Sequence, residues 1–365
     1  MSLRVAILGG YGNFGGYVAR ALAPDPNIEL VICGRDADKA RAFAEALGAA
    51  NPASGAVVDI RDPADALRAI SPGLVIHTVG PFQQQDYRVA QAAIDCGAHY
   101  CDLADARSFV CGIDSLDAAA KAAGAAVIAG ASSVPCLTGA YLDEAAKVMA
   151  IEEVDYGISA AQQTNRGLGT ASAILSYVGR PFTMLREGGM RRVWGWQGLH
   201  SHVYPELGRR WFGYCDIPDL DIFPARYPQL KSMRFAAGHE IASLHWGTWL
   251  LSGGVRLGLL PPLDHWASAL LRASFLFDPL GSDRSGFHMF IRGCDAQGRP
   301  VERRHWMIAR QGHGPNIPCM PVILIARKLA AGEGIAPGAR PCLDLITLDE
   351  YLAALRHLDI TTIDE

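Results

Sequence analysis

Two features of the sequence predict an α/β protein: a doubly wound parallel sheet, followed by a second, α+β domain. Over the first 130 residues, short apolar runs alternate with helical patterns of about ten residues, the rhythm of strand–helix–strand units. After Pro135 that rhythm stops, and strand-like segments begin to pair as a hairpin.

The elements follow in order. Residues 4–8 are a short apolar run that leads into a glycine-rich turn. Phe14, Val18 and Leu22 then recur at helical spacing until Pro24 and Pro26 stop the helix. Residues 29–33 are the second strand; Phe43, Ala44 and Leu47 line the next helix, which Gly48 ends. Residues 56–59 are the third strand, and 63–70 a helix with Asp62 as N-cap and Pro63 in its first turn. Strand 74–79, helix 87–96, strand 99–102, helix 116–123 and strand 125–129 complete the parallel series. In the second part a helix is expected over 137–149, a strand over 154–161 and a helix over 170–178. Tryptophan, glycine and proline then crowd residues 194–223. Segments 287–292 and 302–308 flank the turn Asp295-Ala296-Gln297-Gly298 as an antiparallel hairpin, and closing helices fall over 321–331 and 348–355.

At 365 residues the chain has room for two domains. Half of it is apolar and only 19% charged, which supplies a large core and excludes intrinsic disorder. The net charge of −4 gives no electrostatic reason to bind nucleic acid or anionic lipid. Nine cysteines, an odd number without a Cys-x-x-Cys pair, argue against a disulfide framework and a structural zinc site and fit a reducing cytoplasm. No targeting segment is visible, since Met1-Ser2-Leu3-Arg4 leads straight into a strand. The uncharged run 122–142 is long enough to span a bilayer. Gly124, Gly130, Ser132, Ser133, Pro135 and Thr138 break it into strand, loop and helix, so no membrane span is expected.

The chemistry is carried by Gly10-Tyr11-Gly12-Asn13-Phe14-Gly15, a G-x-G-x-x-G pattern between the first strand and its helix. Gly10 permits the tight turn, Gly12 lets the backbone approach a pyrophosphate, and Gly15 lets helix and strand pack closely. The helix N-terminus offers unpaired N–H groups and a partial positive charge to phosphates. Gly10, Gly12, Asn13, Phe14 and Gly15 are therefore candidate cofactor-binding residues. The second strand ends in Cys33-Gly34-Arg35-Asp36, where NAD enzymes place a carboxylate for the ribose and an arginine accepts a 2′-phosphate. Arg35 favours NADP, with NAD as the alternative. Asp36 has two readings, a cap for the next helix or a ligand of a ribose hydroxyl. Asp59, at the end of the third strand, is either an adenine or ribose neighbour or a turn cap. Gly80, Pro81 and Phe82 end the fourth strand, where cofactor ribose and nicotinamide would lie.

These segments together resemble the NADP-binding domain of the saccharopine dehydrogenase-like family. The resemblance rests on Gly9-Gly10-Tyr11-Gly12-Asn13-Phe14-Gly15, Cys33-Gly34-Arg35-Asp36 and Val79-Gly80-Pro81-Phe82. It continues through Cys96-Gly97-Ala98-His99-Tyr100-Cys101-Asp102 and Ser133-Val134-Pro135, and more sparsely through Gly169-Thr170-Ala171-Ser172 and residues 321–334. One departure is Cys136, where the family often has glycine after the loop proline. The resemblance implies a Rossmann domain (1–135), an inserted α+β substrate and dimerisation domain (136–315) and a C-terminal segment (316–365) that packs back on the first. It also implies an oxidoreductase acting on a small amino-acid, imine or carbonyl metabolite.

Asp102 ends the fifth strand and is the candidate catalytic residue: it either orients substrate and relays a proton, or is a structural carboxylate bonded to backbone N–H groups. His77 reads as a buried histidine satisfied by the backbone, and Tyr100 and Cys101 as core. Two look-alikes are discounted. Tyr227 and Lys231 match the Tyr-x-x-x-Lys pair of short-chain dehydrogenases, but Pro228 between them disfavours the required helix. His200 and His202 share one side of a strand, yet no acidic or cysteine partner stands at metal-binding spacing, so no metal is expected. Trp246, Trp249 and Trp266, interleaved with leucines over 244–277, read as domain core or the contact of a homodimer. The competing function is a non-catalytic NADP-binding sensor or assembly protein. A polar group within proton-transfer reach of nicotinamide C4 separates it from an enzyme.

Overall fold

The computed structural model describes residues 2–365. The chain divides into two compact units, Met1–Leu137 with Pro315–Tyr351 and Thr138–Gly314 with Leu352–Glu365. The first unit opens with β1 (Leu3–Leu8), β2 (Ile28–Gly34), β3 (Ser54–Val57), β4 (Leu74–His77), β5 (His99–Asp102) and β6 (Ala126–Ala129). The second carries β7 (Ala150–Ala160), β8 (Pro181–Arg186), β9 (Gly189–Trp194), β10 (His200–Tyr204), β11 (Gly208–Tyr214), β12 (Ser232–His239), β13 (Ser285–Cys294) and β14 (Pro300–Ala309). The chain then returns to the first unit as β15 (Gly338–Pro341) and ends in the second as β16 (Ile360–Asp364).

In the first unit seven parallel strands lie in the order β15-β6-β5-β4-β1-β2-β3. Sequence order reverses between β1 and β4, the switch point at which doubly wound sheets bind ligands. The strands are continuous apolar runs because helices cover both faces: Val5 and Ile7 on β1 and Leu74 and Ile76 on β4 are wholly buried. Each such side chain contributes about 1.5–3 kcal/mol by leaving water. Gly15, Val18, Ala19 and Leu22 form the buried stripe of the helix Asn13–Leu22. The helix Asn316–Ala330 packs beside it, with Arg327 Nη2 donating to the Ala21 carbonyl at 3.0 Å.

Several bounds differ from expectation. β3 begins two residues before the expected strand, because an exposed edge strand needs no apolar run. β4 ends at His77, where Thr78 turns away with its Oγ1 on the Leu8 carbonyl at 2.8 Å. The late helix starts at Asn316 and carries Pro321 inside it. Residues 352–365 go with the second unit, correcting the expectation that the whole C-terminal segment returns to the first.

The second unit holds a mixed sheet, β10-β11-β12-β7-β13-β14-β16, and the separate ribbon β8-β9. The expected hairpin is β13-β14, paired from Ser285↔Ala309 to Cys294↔Pro300. The hairpin β10-β11 pairs with the sheet at Gly213 and Tyr214. It arches over one face, where Tyr204, Phe212, Phe290, Trp306 and Ile308 make a core. Of the tryptophan-rich stretch, Trp246 and Trp266 are about half exposed and Leu276 is 79% exposed, which corrects the reading of these residues as core. Among the described residues no helix is long and apolar enough to cross a membrane. The uncharged run divides into β6, the helical turn Ser133–Leu137 and the helix Thr138–Ala146.

Candidate functional site

Parallel register brings the carboxyl ends of the central strands to one edge: Leu8 pairs with Cys33 on one side and His77 on the other, and His77 with Asp102. The glycine loop leaves that edge stitched to β2, with Gly9 N and Gly10 N donating to the Cys33 carbonyl at 2.8 and 3.1 Å. The left-handed residue of the turn is Gly9, at φ +76°, and not Gly10 as the motif suggested. Gly10 is needed for room, since a Cβ there would stand 2.9 Å from the Ile7 carbonyl oxygen. A Cβ on Gly15 would stand 2.2 Å from the Gly9 carbonyl oxygen, the close helix–strand approach expected of the third glycine. Gly12 differs. A Cβ there would meet only the Gly9 carbonyl, at 3.0 Å, and otherwise face space free of protein atoms.

Gly12 is also the N-cap of the helix Asn13–Leu22 and brings no side chain to cap it. The first-turn N–H groups, those of Phe14 and Gly15 among them, have no intrahelical acceptor and face outward with the positive end of the helix dipole. An open cradle at an uncapped helix start, at the switch point of the sheet, fits a pyrophosphate.

At the end of β2, Arg35 is exposed, and among the described residues nothing hydrogen-bonds or ion-pairs with its guanidinium. Asp36 is the N-cap of the helix Ala37–Ala46, its Oδ1 accepting from Lys39 N at 3.1 Å, and its carboxyl is held below the usual range chiefly by that bond. The capping reading of Asp36 describes this geometry. Asp59 chelates Arg61 through both carboxylate oxygens, which lowers its carboxyl to about 2, with Arg35 adding a smaller effect. It stands beside Arg35 as an ionised neighbour. Tyr11, which sequence reasoning passed over as a variable position of the motif, lays its ring on Gly34 and accepts from Asp36 N at 3.2 Å.

Beyond β4, Gly80 and Pro81 are joined by a cis peptide, and a Cβ on Gly80 would touch only Phe82 Cδ2, at 3.9 Å. The loop is open at that point. Phe82 is buried against Phe109 and His77. His77 is enclosed; Val79 N donates to its Nδ1 at 3.3 Å and its Nε2 meets Gln85 Oε1 at 2.9 Å. Burial lowers its pKa to about 4, so it is neutral. Tyr100 and Cys101 are core.

Asp102 is fully buried. Its Oδ1 accepts from Ala104 N at 2.9 Å and Gly130 N at 2.8 Å, and its carbonyl accepts from Ala131 N at 2.8 Å. The residue thus clips the loop after β6 to the end of β5, as the structural reading describes. Burial raises its pKa to about 6 against those two bonds. Three residues on lies a carboxylate that sequence reasoning missed. Asp105 is only partly buried, accepts from Gln83 Nε2 at 3.2 Å and is raised by desolvation. Its signal was a second acid directly after β5. Cys136 is buried, and its thiol lies on that of Cys342 in the same unit.

The discounted pairs fall elsewhere. Tyr227 ends a helix and donates to Asp143 at 2.6 Å, while Lys231 pairs with Glu152 at 2.8 Å. His202 does gain an acidic neighbour that linear spacing concealed, Asp155 of β7 at 3.2 Å.

Residues 5–128 match the family described as the saccharopine dehydrogenase NADP binding domain, as the glycine loop and its companions suggested. None of the curated proteins matches the chain. Among solved structures it is similar to the apo saccharopine dehydrogenase (L-Glu forming) of Saccharomyces cerevisiae, at 13% identity and TM-score 0.68, over 99% of this chain and 100% of that one. It is also similar to the homospermidine synthase of Legionella pneumophila in complex with NAD, at 12% identity and TM-score 0.59, over 100% and 91%. A mutant meso-DAPDH of Clostridium tetani with DAP follows at 13% and TM-score 0.50, over 98% and 99%. At these identities the likeness is one of fold.

Proposed function

We propose that this protein is an NADP-preferring oxidoreductase that moves a hydride to or from a C–N or C–O centre of a small amino-acid-like metabolite. The observation that carries the reading is the open cradle at Gly12, at the head of an uncapped helix within a saccharopine dehydrogenase-type nucleotide-binding domain. Gly12 and the first-turn N–H groups would hold the pyrophosphate, Arg35 the 2′-phosphate, and the open loop at Gly80 would admit the nicotinamide. The bound nicotinamide supplies the hydride chemistry.

The chain's own part is to orient substrate and handle the proton. Asp102, with Oδ1 spent on two backbone N–H groups, is a positioning residue for the loop after β6. Asp105, partly accessible and raised by desolvation, would then be the carboxyl that transfers the proton. Saccharopine and DAP in the names of the fold neighbours support an amino-acid-like substrate. The exposed Trp246, Trp266 and Leu276 support a homodimer, and nine free cysteines a cytoplasmic location.

The test is a screen of amino acids with NADP and of keto acids plus amines with NADPH, followed by nicotinamide absorbance. Turnover in the wild type that falls about 10²-fold in Asp105→Asn, with cofactor affinity retained, supports the reading. Tight cofactor binding with no turnover across the panel favours the sensor instead.

A further inference from the structure

The second unit carries a cluster of chemistry-bearing side chains that nucleotide binding leaves unused. Its hairpin β10-β11 lays His202 over the sheet, against Asp155 of β7 and His288 of β13, two strands that pair directly. We propose that Asp155, His202 and His288 form a binding site for a divalent transition-metal ion of the zinc class.

Geometry carries the case. One ligand atom from each residue lies within 4.8 Å of the other two. His202 Nε2 and Asp155 Oδ2 stand 3.2 Å apart, close to the ~3.4 Å between two ligands about 2.1 Å from a tetrahedral ion. Among the described residues His202 Nε2 has no hydrogen bond of good angle, so it stands beside Asp155 at the spacing of two ligands. Asp155 is 4% exposed and His288 wholly enclosed, so bulk water does not reach them.

A second, independent observation concerns His288. Its Nδ1 lies 2.6 Å from Tyr204 Oη, while its Nε2 is buried with no partner among the described residues. A metal-binding imidazole is characteristically fixed in this way, one nitrogen held by a neighbour and the other left for the ion. Gly157 on β7 makes the room, since a Cβ there would stand 2.9 Å from His288 Cε1.

Arg234 bonds both oxygens of Asp155 and keeps it ionised. Each carboxylate oxygen has two lone pairs, so this orients Asp155 and leaves Oδ2 able to coordinate. The guanidinium charge opposes that of the ion and predicts an affinity below that of purely structural zinc sites. Two imidazoles and a carboxylate suit zinc, cobalt or iron and not magnesium or calcium.

The experiment is a Co²⁺ titration of the full-length protein after chelator treatment, read by the visible absorption of a low-symmetry site. The proposal expects saturation at about one ion per chain. Zn²⁺ should displace the cobalt, and the band should vanish in His202→Gln and His288→Gln. Tyr204→Phe, which keeps the packing and removes the hydroxyl, should weaken binding about 10-fold. If a histidine variant fails to fold, the wild type and Tyr204→Phe still decide. A natively folded wild type without the band overturns the proposal, and so does a band that survives in both histidine variants.

Discussion

The ring of Tyr11 lies on Gly34 so closely that a Cβ at Gly34 would stand 2.2 Å from Tyr11 Cε1. Through this contact the glycine loop and the end of β2 hold one another, with the Tyr11 hydroxyl accepting from Asp36 N. Gly34→Ala must push the ring away and break that bond. Cofactor affinity should fall by about 1–2 kcal/mol, more than in Tyr11→Phe, which loses the hydrogen bond alone at about 1 kcal/mol. Titration by cofactor fluorescence compares the two. Wild-type affinity in Gly34→Ala would detach the contact from the site.

Arg35 has a charge and no hydrogen-bonding partner among the described residues, which suits a residue kept for a ligand. Arg35→Ala should weaken NADPH by about 1–3 kcal/mol, the scale of a lost charge-assisted contact, and leave NADH nearly unchanged. Equal losses for both cofactors would assign Arg35 a general electrostatic role.

Gly12 and Gly15 should separate binding from folding. Gly12→Val puts its side chain where protein atoms are sparse, so binding should be abolished while stability changes by no more than about 1 kcal/mol. Gly15→Ala drives a methyl group against the Gly9 carbonyl and should cost about 1–3 kcal/mol of stability. Chemical denaturation run beside the binding assay reads both.

Asp102 links pH to stability. Its folded pKa, about 6, lies above the usual 3.8, so the folded state binds the proton more tightly than the unfolded chain does. That contribution is fully present below pH ~4 and is lost as pH rises through ~6, amounting to about 3 kcal/mol. Asp102→Asn keeps the Oδ1 acceptor and cannot ionise. The stability of the wild type relative to the variant should therefore fall by about that amount between pH 4 and 7. A difference that does not change with pH would contradict the buried carboxylate.

The first unit was legible because its physics is local. Apolar runs, helical spacing and a glycine motif at a strand end identify β1, β2, β4, β5 and β6 without reference to distant residues. β15 and β16 were not, since Gly338–Pro341 and Ile360–Asp364 are short and become strands only by pairing with β6 and β14. The site shows the same division. Gly15 makes the close helix–strand approach that its spacing predicts and Gly12 lies open, whereas the left-handed turn residue is Gly9, one position before the motif. Tyr11 on Gly34 and Gln83 on Asp105 are contacts across folded loops, invisible to linear spacing. The same is true of Asp155, which lies 47 residues before His202 in the chain and 3.2 Å from it in the fold.

The most direct test of the central claim is equilibrium titration of the purified wild-type protein with NADPH and with NADH, followed by cofactor fluorescence. The account predicts saturable binding of NADPH, tighter than that of NADH and lost in Gly12→Val. Absence of binding for both cofactors, in a protein whose circular dichroism shows it folded, would contradict it.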